Sequence, residues 1–260
     1  VKELDIKKDV QTQFGQSADS YVESKIHKEG RDLQLLVQLA DLKGTEKVLD
    51  VATGGGHTAN ALAPCAARVT ALDLTREMLA AAEKFIKGNG FGNVEFKQGD
   101  AENLPFADSS FDLVTCRIAP HHFPNVKAFL SQVYRVLTPK GIFLLDDNVV
   151  PEDDELDRFY NQIEKIRDYS HFRAWKKTEW ISMLEAVGFT LSQLHHFEKN
   201  FQFASWCKRM NLPQEDQQRL QTVFRQAPQK AKDKFRIRID GGEVVSFAGE
   251  AMVVKAVKGI

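Results

Sequence analysis

The stretch Val48-Leu49-Asp50-Val51-Ala52-Thr53-Gly54-Gly55-Gly56-His57-Thr58-Ala59 constrains the fold more than any other part of the chain. It opens on a short apolar run rich in branched residues, which reads as a buried strand closed by an acid. Three consecutive glycines follow, and a helical pattern begins near Thr58. Strand, glycine turn and helix together make a nucleotide-type cradle. Residues without β-carbons let the backbone come close to a ligand, and a helix N-terminus offers free N–H groups.

The flanking sequence repeats this strand-then-helix rhythm. Strands are expected at Lys47–Val51, Arg68–Leu72, Val94–Gln98, Phe111–Cys116 and Ile142–Leu145. Helical periodicity falls at 30–41, 58–62, 76–87 and 126–137, with Thr75 as an N-cap and Pro64 as a stop. Such alternation argues for a parallel sheet with helices on both faces. After Pro151 the rhythm changes. A polar, aromatic-rich helix is expected over 152–169. A helix over 177–187 follows, capped by Thr178 and stopped by Gly188, then a strand near 189–194. Residues 203–233 read as two or three short helices broken by Pro213 and Pro228. Asp240-Gly241-Gly242 signals a hairpin between 235–239 and 243–247, and 251–257 reads as a last strand.

The 260 residues can bury a full core, and the net charge of −1 exerts no general pull on nucleic acid or anionic membrane. Three scattered cysteines form neither a disulfide framework nor a zinc pattern, and Cys116 reads as a small core residue. No metal site is expected. No apolar run is long enough to span a bilayer, and the charged first residues contain no signal-peptide core, so the cytoplasm is the expected location.

Five motifs, in order, carry a family resemblance. They are Asp50 with Ala52, Gly54 and Gly56; Ala71-Leu72-Asp73-Leu74 with Met78; Gly99-Asp100-Ala101-Glu102-Asn103-Leu104-Pro105-Phe106; Phe111-Asp112-Leu113-Val114 with Arg117 and His121-His122-Phe123; and Arg135-Val136-Leu137-Thr138-Pro139-Lys140-Gly141-Ile142. Over roughly 45–150 the chain resembles the class I S-adenosylmethionine-dependent methyltransferases. It looks most like the branch that includes quinone-biosynthesis C-methyltransferases. Alanine stands at position 52, where the family has its first glycine. This departure costs little if Ala52 keeps an ordinary strand-end backbone.

The resemblance implies a Rossmann-like, doubly wound, mostly parallel seven-stranded sheet with the last strand antiparallel and helical insertions in the C-terminal half. It also implies one methyltransferase domain, divided into an N-terminal lid helix (1–29), a cofactor-binding core (30–150) and a substrate side with closing strands (151–260). The lid is expected to carry Phe14 and Tyr21 over the cofactor.

The cofactor presents an ammonium, a carboxylate, a ribose diol, an adenine amine and a sulfonium. Three acids at neighbouring strand ends suit that set. Asp50 favours the ammonium side and shapes the glycine loop. Asp73 accepts from the ribose hydroxyls, and Asp100 accepts from the adenine amine beside the Ala101 N–H and Glu102. Leu74, Met78 and Leu104 flank the adenine, Met78 and Leu104 serving also as core residues. Arg117 either lines the cofactor or pairs with an acid. The expected cofactor-binding set is thus Tyr21, Asp50, Ala52, Gly54, Gly56, Asp73, Leu74, Met78, Asp100, Ala101, Glu102 and Arg117.

Methyl transfer from a sulfonium is an in-line displacement at an activated carbon, so a base is needed only where the acceptor must lose a proton. His121 and His122, in the loop after the fourth strand, are the first candidates for such a base, and His27, His171, His195 and His196 are further ones. The alternative is that His121 and His122 order their loop. The aromatics Phe159, Tyr160, Tyr169, Phe172, Trp175, Phe201, Phe203 and Trp206 either line a pocket for an apolar or aromatic small-molecule methyl acceptor or simply pack small helices onto the sheet. Three other readings remain. A nicotinamide oxidoreductase would use the glycine frame Gly54, Gly56, Ala59. An RNA methyltransferase is suggested only by the basic run Arg225, Lys230, Lys232, Lys234, Arg236, Arg238, which a solvated helix face explains more simply, so no nucleic-acid partner is expected. The third is a cofactor-binding protein without catalysis.

Overall fold

The computed structural model describes residues 3–15 and 30–259. Helix α1 (Glu3–Gly15) precedes α2 (Arg31–Ala40) and strand β1 (Lys47–Val51). Then come α3 (His57–Leu62), β2 (Arg68–Asp73), α4 (Arg76–Gly88), β3 (Val94–Gln98) and β4 (Phe111–Arg117). Next are α5 (Val126–Val136), β5 (Leu137–Val150), α6 (Asp154–Arg167), β6 (Trp175–Lys176) and α7 (Lys177–Val187). The chain finishes with β7 (Phe189–Gln202), α8 (Phe203–Lys208), α9 (Gln214–Arg225), α10 (Gln229–Lys234), β8 (Arg238–Asp240) and β9 (Glu243–Lys258).

One sheet runs β3-β2-β1-β4-β5-β9-β7, with β6 beside β5 and β8 beside β9. The strands from β3 to β5 are mutually parallel, and β9 lies antiparallel to both β5 and β7. This is the doubly wound, mostly parallel α/β sheet the motifs imply, its last strand reversed. Two short strands, β6 and β8, add to the seven on the main path. Between β1 and β4 the strand order reverses, and there the carboxyl ends open a crevice.

Both sheet faces are covered. Phe129, Leu130 and Val133 of α5 and Trp180 and Leu184 of α7 cover one face, all buried. Leu36 and Leu39 of α2, Ala59 and Leu62 of α3 and Ile86 of α4 cover the other. A third cluster lies in the C-terminal half and contains Phe159, Tyr160, Phe203, Trp206, Phe224, Phe235 and Phe247.

Three strands are much longer than their apolar runs suggest. Strands β5 and β7 each span 14 residues and β9 spans 16, joining two segments read separately from sequence. Ala248-Gly249-Glu250 looks like an interruption. Yet a β-carbon at Gly249 would stand 2.9 Å from the Tyr160 hydroxyl and 3.0 Å from Phe201, so the glycine admits a close approach rather than a turn. The turn falls at Gly241 and Gly242, whose φ angles of 56° and 85° suit a two-residue hairpin loop between Asp240 and Glu243.

The cap residues are partly shifted from expectation. Thr75 stands at the N-cap of α4, but its buried hydroxyl makes no cap bond. Lys176, not Thr178, stands at the N-cap of α7, where its N–H donates to Glu179 Oε2 at 2.9 Å, and the Thr178 hydroxyl donates instead to Glu152 at 2.6 Å.

Candidate active site

A cleft of about 1030 Å³, counting its open mouth, lies over the carboxyl ends of β1, β2, β3 and β4. The parallel register brings these ends level, so each strand delivers its terminal acid and following loop to one rim.

Asp50 is almost wholly buried beneath the glycine loop. Its two oxygens accept from the Thr53 hydroxyl at 2.6 Å and the Thr115 hydroxyl at 2.7 Å. Burial pushes its carboxyl up to about 6, and those hydroxyl bonds oppose the rise. Asp50 therefore ties the loop to β4. Asp73 accepts from the Gly54 N–H on one oxygen and the Thr75 N–H on the other, both at 2.9 Å. Each carboxylate oxygen keeps a second lone pair for a ligand hydroxyl. Burial raises this carboxyl above its usual range despite those backbone bonds.

Of the expected cofactor set, Asp50, Ala52, Gly54, Asp73, Leu74, Met78, Asp100, Ala101, Glu102 and Arg117 all line the cleft. Tyr21 lies outside the described residues, as does His27. Gly56 is placed differently. It forms the N-cap of α3 with φ 83°, and a β-carbon there would press within 2.9 Å of Ala82 and Ile86. Its smallness serves the packing of α3 on α4. Leu104 belongs to the core and is not among the lining residues.

Ala52 departs from the strand-end backbone on which its low cost depended. Its φ is 54°, the left-handed region where glycine is at ease and alanine is strained. Ile118, just after β4, has φ 53°, a genuine outlier for a β-branched residue, and it too lines the cleft. Its N–H donates to the Asp146 carbonyl at 2.7 Å. No glycine or turn signal at Ile118 hints at this strain.

Arg117 takes the acid-pairing role, with Asp32 Oδ2 at 2.6 Å and Asp146 Oδ2 at 3.3 Å, and is also placed at the cleft. Asp146 is fully buried, and burial lifts its carboxyl to about 7; Lys199 opposes the rise and neighbouring Asp32 adds to it.

His122 lines the cleft, whereas His121 lies behind it. His121 Nδ1 stands 2.5 Å from Asp147 Oδ1. Burial works against its charge, but Asp147 holds its pKa above the ordinary value. His122 Nδ1 faces the Ser170 carbonyl at 3.1 Å, and burial, then the neighbouring His121, brings it down to about 4. The His121 carbonyl accepts from the N–H groups of both Phe172 and Arg173 at 2.9 Å. Residues 119–123 are thus strapped to the segment 168–173.

None of the eight aromatics weighed above lines this cleft. Phe159, Tyr160, Phe203 and Trp206 are buried in the C-terminal cluster, away from the cleft. Tyr169 and Phe172 are exposed, and Phe14 of α1 lines the cleft with its ring edge-on to His122 at 5.1 Å between centroids. In the basic run, Arg225, Lys230, Lys234 and Arg236 pair with Glu243, Asp153, Glu250 and Glu198, so most of its charge is locally matched.

The family model Methyltransf_11, a methyltransferase domain, matches residues 49–145, the segment that builds this cleft apart from α1. The uncharacterized methyltransferase YcgJ of Bacillus subtilis is 37% identical over 95% of this chain and 98% of its own. The chain belongs to the S-adenosylmethionine-dependent methyltransferases. The crystal structure of YcgJ superposes on this methyltransferase with a TM-score of 0.86, covering 88% of this chain and 98% of that one. A candidate methyltransferase of Bacillus halodurans C-125 is 53% identical with a TM-score of 0.87, covering 89% and 100%. The ubiquinone/menaquinone biosynthesis C-methyltransferase UbiE of Sinorhizobium fredii is 34% identical over 52% of this chain and 54% of its own. The methyl donor of this methyltransferase is S-adenosylmethionine, and the nicotinamide reading of the glycine loop falls away. No helix among the described residues is long and apolar enough to cross a membrane.

Lys7, Val10, Thr53, His57, Thr58, Ile118 and Phe123 also line the cleft and were not anticipated. Thr53, His57 and Thr58 flank the glycines and could have been found from position alone. Lys7 and Val10 carry no sequence signal, because their place depends on how α1 folds back.

Proposed function

We propose that this methyltransferase transfers the methyl group of S-adenosylmethionine to a small, mostly apolar or aromatic acceptor of quinol or phenol type. One observation carries the reading. The wall beyond β4, where the sulfonium end is expected, is built from Ile118, Ala119, Phe123, Pro124 and the ring of Phe14. Its imidazole, His122, is held low and therefore neutral at pH 7. Such a wall desolvates an apolar acceptor and keeps water from the methyl group. The likeness to UbiE supports the same acceptor class.

In this reading the ribose hydroxyls donate to Asp73 and the adenine amine donates to Asp100, beside the Ala101 N–H. Leu74 and Met78 pack on the base, and the glycine loop passes close to the methionine part. Residues 1–260 act as one methyltransferase domain, in which 151–260 braces the acceptor side through the straps at His121 and His122. The acceptor panel that tests the proposal contains quinols, phenols, amines and RNA, with formation of S-adenosylhomocysteine as the readout. Turnover confined to quinols or phenols supports the proposal, and turnover only on amines or RNA overturns it.

A further inference from the structure

Helix α1 crosses the mouth of the cleft like a bar. Lys7, Val10 and Phe14 follow the i, i+3, i+7 spacing of one helix face, and all three line the cleft. Lys7 Nζ lies 2.7 Å from Asp100 Oδ2 and 2.5 Å from Glu102 Oε2, on the loop after β3. One turn on, the Gln11 amide donates to the Leu74 carbonyl at 3.2 Å, on the loop after β2. Phe14 meets His122 beyond β4. The helix rises roughly 10 Å from Lys7 to Phe14, and strands three places apart are separated by about 14 Å. Side chains at either end of the face make up the difference.

Lys7 is the strongest of these attachments. Among the described residues it is the cation in salt-bridge contact with Asp100 and with Glu102. Both carboxylates already hold backbone: Asp100 Oδ1 accepts from the Glu102 N–H at 2.9 Å and Glu102 Oε1 from the Asn125 N–H at 2.6 Å. Lys7 therefore closes over two acids that are fixed in place. Lys7 takes one lone pair of Asp100 Oδ2 and leaves the other open to the proposed adenine amine, so the bridge can close with cofactor in place.

We propose that Lys7 is a latch residue: its bridge to Asp100 and Glu102 locks α1 across the cleft, so that cofactor enters and leaves only when this bridge opens. The inference rests on the cofactor placement proposed above. A latch that is closed before binding slows entry, because only the open fraction is competent. A latch that closes again behind the ligand slows exit. Losing it speeds both steps and leaves affinity nearly unchanged. A direct contact to the ligand behaves differently, since its loss speeds exit alone.

The test is surface-immobilised full chain with S-adenosylhomocysteine as the probe, comparing wild type with Lys7→Met, Lys7→Gln and Lys7→Arg. Two partly exposed ion pairs predict that Met and Gln raise association and dissociation rates together by about three- to tenfold, with Kd moving less than about threefold. Lys7→Arg restores slow exchange, and raised salt speeds the wild type toward the Met variant. Unchanged rates in both neutral variants overturn the latch, as does faster exit with unchanged entry. Failure of the wild type to bind S-adenosylhomocysteine overturns the cofactor placement instead, which separates the two outcomes.

Discussion

His121 Nδ1 lies 2.5 Å from Asp147 Oδ1, and the pair sits behind the cleft wall rather than in it. With the Phe172 and Arg173 N–H groups on its carbonyl, His121 is bonded at both side chain and backbone. Its place is that of a strut. His122, one residue on, presents its ring to the cleft from a loop that this strut holds still.

Replacing either histidine with alanine is therefore expected to weaken cofactor binding and to lower turnover by less than the 10²–10⁴ typical of a lost general base. Single-turnover rate against pH, measured with an accepted substrate, checks this. A loss of a thousandfold or more with cofactor affinity intact would show that this loop carries the base.

The same loop sets an acid limit on stability. His122 is held down to about 4 in the folded state against an ordinary value of 6.5, first by burial and then by the charge of His121. A folded pKa below the unfolded one gives stability that is complete above about 6.5 and fades as pH falls toward about 4. Asp168, held low against burial by His122 and Ser170, acts in the same direction at still lower pH. His122→Asn is expected to flatten the fall in melting temperature between pH 6.5 and 4. An identical slope in wild type and variant would refute this.

Ala52 spends its backbone in the left-handed region, with φ 54°. Relief of that strain by Ala52→Gly is worth about 1 kcal/mol, partly offset by the freer unfolded chain. The urea midpoint should move upward at constant slope. A midpoint that falls would mean that the methyl group of Ala52 contributes packing that outweighs the strain.

Much of the cleft was legible in the sequence because each acid stands at a strand end, and strand ends in a parallel sheet meet at one rim. Asp50, Asp73 and Asp100 needed only that rule. Gly56 resembled a ligand-facing glycine, but its hydrogen faces Ala82 and Ile86, contacts that no local pattern reveals. The aromatics of the C-terminal half could be read as pocket or core with equal ease. Phe159 and Trp206 became core because α6, α8 and α9 close on one another over the long ends of β7 and β9. Those strand ends were hidden, since Lys199, Asn200 and Glu250 break the apolar alternation. Lys7 looked like one more solvated charge, and its partner Asp100 lies 93 residues away.

Asp73→Ala is expected to weaken S-adenosylmethionine by about 1.5–3 kcal/mol in a calorimetric titration, the usual worth of hydrogen bonds to a charged group. The same change frees the Gly54 and Thr75 N–H groups, so the melting temperature without ligand should fall as well. Unchanged affinity would remove Asp73 from the binding surface.

The crevice between β1 and β4 is expected to hold the cofactor, with its methyl group turned toward Ile118 and His122. The most direct measurement is a crystal structure of the full chain with S-adenosylhomocysteine. The account predicts both ribose hydroxyls on the Asp73 carboxylate, the adenine amine on Asp100 and the sulfur facing the apolar wall of Ile118, Phe123 and Phe14. A ligand seated elsewhere, or one whose ribose avoids Asp73, would contradict it.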